Sequence, residues 1–100
     1  MLPLNDFIDR LRADLEALDT IAGDTGDEAL DDLNAELDDM LLALSDIRPG
    51  GEGWRDELTE ALDDLEAVID DFDAIAGRLP AVAAPASRLR MTADMLRGNM

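Results

Sequence analysis

Four aspartate pairs, Asp31-Asp32, Asp38-Asp39, Asp63-Asp64 and Asp70-Asp71, are the side chains whose type and spacing could do chemistry in this chain. The first two pairs lie seven residues apart, as do the last two, a spacing that returns a residue to nearly the same face of an α-helix. Arrays of carboxylates serve three purposes. They hold hard divalent cations, they share a proton at a catalytic centre, or they present negative charge at intervals to a cationic surface.

The first purpose fails on spacing. A calcium loop needs acidic or amide groups at its first, third and fifth places, with glycine sixth and glutamate twelfth. Counting from Asp24 puts Asp27 in the fourth place, and counting from Asp71 puts Ile75 where a ligand belongs. The run Asp70-Asp71-Phe72-Asp73 departs from the Asp-Asp-x-x-Asp pattern of magnesium sites, and a di-iron bundle would need Glu-x-x-His in a chain with no histidine. Neither a metal nor another cofactor is expected.

Composition weighs against the second purpose. Histidine, cysteine, lysine and tyrosine are all absent from the 100 residues. The usual general base near neutral pH, the thiolate nucleophile and the Schiff-base amine are therefore missing together. No catalytic residue is assigned, and the chain is not expected to be an enzyme. Without cysteine there is no disulfide framework either.

The third purpose remains. The net charge is −17, from 25 acids and 8 arginines, and it is unevenly spread. Residues 1–77 hold every acid but Asp94, whereas Arg78, Arg88, Arg90 and Arg97 lie beyond them. A surface of that sign repels nucleic acid and anionic membranes and draws cationic ones. The expected partner is a cationic protein surface such as that of a nucleic-acid-binding protein, with no direct binding of nucleic acid or membrane. The expected function is a non-enzymatic acidic binding module, an inhibitor or nucleic-acid mimic of the anti-restriction or anti-CRISPR type, with the eight paired aspartates at its contact face. The alternative is a structural or adaptor helical bundle whose acidity, with lysine absent, reflects adaptation to high salt. The longest apolar run, Met40 to Leu44, is far short of a membrane span, and the N-terminus lacks the basic and apolar segments of a secretory signal, so a cytoplasmic location is expected.

The elements that position these groups read as helices. Leu4, Ile8, Leu11, Leu15, Leu18 and Ala22 follow one another at steps of three and four, with Phe7 and Ile21 beside them, and Gly23 is expected to end that helix. Thr25 and Glu28 spell a capping box before a second stripe, Leu30, Leu33, Leu37, Met40, Leu44 and Ile47. Pro49 to Gly53 is the central loop. A third and longest helix runs from Trp54 to Leu79 on Leu58, Ala61, Leu65, Val68, Phe72 and Ile75, and Pro80 stops it. Residues 80–86 read as a stiff connector, and Ala86, Leu89, Ala93, Leu96 and Met100 mark a short basic helix in which Arg90 is spaced to pair with Asp94.

The expected fold is all-α: a small antiparallel bundle of three amphipathic helices over residues 1–79, with residues 80–100 as connector and C-terminal helix. Arg88, Arg90 and Arg97 make that last helix a docking element, either onto its own acidic bundle or onto a partner. A chain of this length often shares an apolar face with a second copy, so a homodimer is expected.

Overall fold

In a computed structural model, which describes residues 4–48 and 50–98, the chain is all-helical, with no strand among the described residues. Its elements are α1 (Leu4–Thr25), α2 (Glu28–Asp46), α3 (Trp54–Ala76), a single 3₁₀ turn (Pro80–Val82) and α4 (Ala83–Gly98). Each helix packs on its neighbours in sequence, and α4 closes the ring by packing on α1. Short turns join neighbours that lie side by side, so adjacent helices run antiparallel. The result is a rod of 42 × 20 × 19 Å.

One apolar cluster runs along the axis. Phe7, Leu11 and Leu18 of α1, Leu30, Leu37, Leu41 and Leu44 of α2, Leu62, Leu65, Ile69 and Phe72 of α3, and Ala86 and Leu89 of α4 are completely buried. Each leucine, isoleucine or phenylalanine among them contributes roughly 1.5–3 kcal/mol of transfer free energy relative to leaving it in water, which is what holds helices bearing so many like charges together. Trp54 opens α3 half-buried against this cluster, with the Arg55 guanidinium 5.4 Å from its ring centroid.

In α2 the buried stripe differs from the expected one. Leu30, Asn34, Leu37, Leu41 and Leu44 are its buried residues, while Leu33 and Met40 are only half-buried. The helix is turned so that Asn34 and Leu41 face inward. A heptad count cannot detect this, because α2 has two neighbours: Leu33 and Met40 lie on its α3 side, Asn34 and Leu41 on its α1 side. The expected docking position Met100 and the loop residue Pro49 lie outside the described residues.

Helix ends also shift. The first helix continues through Gly23 to Thr25, and Gly26, at φ +67°, supplies the left-handed residue after it. The Thr25 hydroxyl donates back to the Ile21 carbonyl at 2.8 Å, so the capping box does not form. Asp27 caps α2 instead, its carboxylate accepting the Leu30 N–H at 2.9 Å. Only Gly26 and Asp27 separate the two helices, which leaves no room for a cap as early as Thr25. The third helix ends at Ala76 rather than Leu79. Residues 80–86 are not a free connector: Val82 is fully buried, and α4 has already begun at Ala83, with Pro85 in its first turn, where a missing N–H costs nothing.

Candidate protein-binding surface

Consecutive residues on a helix point about 100° apart, so each aspartate pair straddles two faces rather than crowding one. In α3 the division is sharp. Asp63 accepts from Arg97 at 3.1 Å and Asp70 from Arg90 at 2.7 Å, so these two aspartates face α4. Glu66 and Asp73 join them, 3.3 Å from Arg97 and 2.6 Å from Arg90 respectively. The hydrogen bonds that Arg90 donates to Asp70 and then to Asp73 push its ionisation further above its ordinary value. Asp64 turns the other way, into a groove between α2 and α3 that it lines with Met40, Ala43, Ile47, Glu57, Glu60 and Ala61. Asp71 is exposed and makes no ion pair with a described residue.

The aspartates of α2 have almost no such neutralisation. Asp31, Asp32 and Asp38 line a groove of about 360 Å³ between α1 and α2, together with Asp19, Asn34 and Ala35. Arg12 reaches Asp38 from α1 at 3.7 Å, and among the described residues this is the one ion pair that α2 makes between Glu28 and Asp46. Asp39 is exposed on the outer face.

The arginines of the C-terminal third all bind the chain's own acids. Arg88 Nε donates to Asp14 of α1 at 2.7 Å, and Arg90 and Arg97 reach α3 as described. Arg90 does not take Asp94, the partner its spacing suggested, because α3 offers it two carboxylates across the helix interface. Arg78 makes a two-pronged contact with Asp27, Nη2 to Oδ1 at 3.0 Å and Nη1 to Oδ2, and so ties the end of α3 to the start of α2. That guanidinium, with the Leu30 N–H second, lowers the Asp27 carboxyl to about 2. Because the folded value is depressed, the contribution of this pair is complete above the unfolded carboxylate range, near 4, and is lost as pH falls through about 2. Following the Asp27 carboxyl carbon by NMR should give a midpoint about 2, moving up toward the ordinary carboxylate range in Arg78→Gln. An unchanged midpoint would assign the shift to the helix cap alone.

Sequence spacing missed Asp27, Glu66 and Asp73 as arginine partners and Arg88 as the partner of Asp14, and it missed Asn34. Asn34 is 3 % exposed, and neither Nδ2 nor Oδ1 has a hydrogen-bond partner among the described residues. A signal was present: position 34 stands four after Leu30 and three before Leu37, squarely on the buried stripe. Among the described residues no set of three or more acidic side chains converges as metal ligands would. No helix of the described chain is long and apolar enough to cross a membrane. No protein-family model, no curated protein and no solved structure matches this chain.

Proposed function

We propose that the chain is a non-enzymatic binding module whose acidic face engages a cationic protein surface, acting as an inhibitor or mimic that occupies a nucleic-acid-binding site. The observation that carries this reading is the polarity of the bundle. The α4 side has Arg88, Arg90 and Arg97 set against acids of α1 and α3, whereas α2 bears acids and no basic residue along its whole length. Along α2, Asp32, Glu36, Asp39 and Asp46 recur at about one carboxylate per turn or two, a rise of roughly 5.4 Å per turn. That is the same order as the roughly 3.4 Å between successive phosphates along a DNA strand. The contact face is accordingly Asp31, Asp32, Asp38 and Asp39, with Asp64 and Asp71 at its α3 border, and Asp63 and Asp70 belong to the bundle's internal ion pairs.

A pull-down from nuclease-treated lysate, eluted with duplex DNA, tests this. The expected result is a nucleic-acid-binding protein that DNA displaces. Retention should be lost when Asp31, Asp32, Asp38 and Asp39 are all changed to Asn, and kept in the Asp63→Asn, Asp70→Asn double variant. Capture that is indifferent to DNA would remove the mimic. Ellipticity in dilute buffer separates the salt-adapted alternative, which would unfold there and refold in molar KCl, whereas an inhibitor stays folded and loses partner affinity as salt rises.

Self-association, in this reading, would use what the ring leaves exposed, chiefly Leu42 of α2 and Met91 of α4. Light scattering over a wide concentration range is expected to show a mass that rises toward the dimer. A constant monomer mass would remove the homodimer.

A further inference from the structure

Asn34 is a residue for which the bundle itself has no use. Its amide lies in an otherwise apolar stripe, between Leu30 and Leu37, with a donor and an acceptor that no described residue satisfies. Buried polar atoms of this kind are rare, and each one that persists calls for a specific explanation, whether strain, an ordered water or ion, or a functional role. The groove that Asn34 lines identifies that partner's chemistry. Asp31 stands one turn before it and Asp38 one turn after it on the same side of α2, and Asp19 faces them from α1. Four carboxylates line a single open volume of about 360 Å³, and the Asn34 amide lies buried in its wall.

We propose that the Asn34 groove between α1 and α2 is a guanidinium subsite that receives an arginine side chain of the cationic partner, a proposal that rests on the binding role argued above. A guanidinium carries five N–H donors in a planar fork and no acceptor, so it matches a ring of acceptors lying in different directions. A turn of the Asn34 side chain about its own bonds brings Oδ1 to one prong of the fork, while Nδ2 donates to the carboxylate of Asp31 or Asp38. The remaining prongs fall to the aspartates. A bare divalent ion fits less well, because no three of these acids converge on one point. An ammonium is compact and strongly hydrated, and it would meet one carboxylate at a time. The rim already shows the same chemistry from within: the Arg12 guanidinium reaches Asp38 from α1, and a partner's arginine would compete for that carboxylate.

The test uses the full chain and two small cations, methylguanidinium and methylammonium, at constant ionic strength, followed by ¹H–¹⁵N NMR. The expected result is a saturable shift of the Asn34 side-chain amide and of the backbone amides of Asp19, Asp31 and Asp38, at least fivefold tighter for methylguanidinium. Asn34→Leu, which keeps the fold and removes the acceptor, should abolish the saturable component. Shifts that rise linearly and spread over all the acidic helices, or that survive in Asn34→Leu, would overturn the subsite. So would equal affinity for the two cations. The subsite and the wider role fail separately. If Asn34→Leu captures the same protein with unchanged affinity in the pull-down, the subsite falls and the acidic face stands. If methylguanidinium saturates the groove but no DNA-displaced protein is ever captured, the groove stands and the mimic falls.

Discussion

Asn34→Leu should make the protein more stable by about 2 kcal/mol, a rise in thermal midpoint of roughly 10 °C for a domain of this size. The gain has three sources. A buried amide with neither donor nor acceptor paired costs roughly 1–3 kcal/mol, and the substitution removes both atoms at once. Leucine adds apolar surface to a stripe already made by Leu30, Leu37 and Leu41. It is also the better helix former, by a few tenths of a kcal/mol. Against these stands crowding, since an enlarged core side chain typically costs about 1–3 kcal/mol where neighbours cannot yield. Here one wall of the site is the open α1/α2 groove, which gives the bulkier methyl groups somewhere to go. Asn34→Ala separates the terms, because it removes the amide without adding bulk and should lie within about 1 kcal/mol of the parent. Urea and thermal unfolding read both variants. A leucine variant less stable than the parent would mean that the amide is paired in solution and has no need of a ligand. Stabilisation together with loss of methylguanidinium binding would mean that the chain keeps a costly residue for what it binds.

How far these features were legible in the sequence differs by element. In α1 the apolar steps name the buried face directly: Leu4, Ile8, Leu11, Leu15, Leu18 and Ala22 are all buried, and only Ile21 is held half-out. In α2 the same reasoning turned the helix too far toward α3. Leucines sit on both flanks, so the period alone cannot choose between Leu33 with Met40 and Asn34 with Leu41. The choice is made by the α1 contact, a tertiary fact. Caps failed for a related reason. Thr25 and Glu28 have the right spacing, but Asp27 is nearer to the helix start and is held there by Arg78, 51 residues along the chain. Ion pairs were the least legible feature. A step of four along one helix suggests Arg90 with Asp94, and the bundle instead pairs Arg90 with Asp70 and Asp73, just as Arg12 reaches across to Asp38 of α2. Exposed pairs along a helix are worth only a few tenths of a kcal/mol, so any well-placed carboxylate on a neighbouring helix displaces them. For the same reason the eight aspartates could be named as a set from sequence, while their division between an open face and the α4 interface could not.

Arg88→Leu should destabilise the bundle by about 2 kcal/mol, more than any other single arginine substitution, because Arg88 neutralises the one carboxylate that is buried among the described residues. The Asp14 side chain is 9 % exposed and accepts from Arg88 Nε at 2.7 Å, where α4 closes on α1. Removing the partner of a fully buried charge costs roughly 3–5 kcal/mol, since the orphan must stay desolvated. The guanidinium here is 53 % exposed, so water replaces part of what is lost and the expectation is lowered accordingly. Arg90→Gln and Arg97→Gln remove partners of the exposed acids Asp70 and Asp63 and should each cost less than Arg88→Leu, shrinking further in salt. The decisive variant is Asp14→Leu with Arg88→Leu. Arg88→Leu alone removes one cation and takes the net charge from −17 to −18, whereas the double substitution leaves it at −17. If general repulsion among the acids were the cause, the single variant should recover in high salt. If the orphaned carboxylate is the cause, salt should help little and the double variant should regain most of the loss, as apolar replacements of buried ion pairs commonly do. Urea midpoints of the four proteins in this cycle, at low and at molar salt, distinguish the two. A double variant as unstable as Arg88→Leu would show that the stem of Arg88, packed against α1, matters more than its charge.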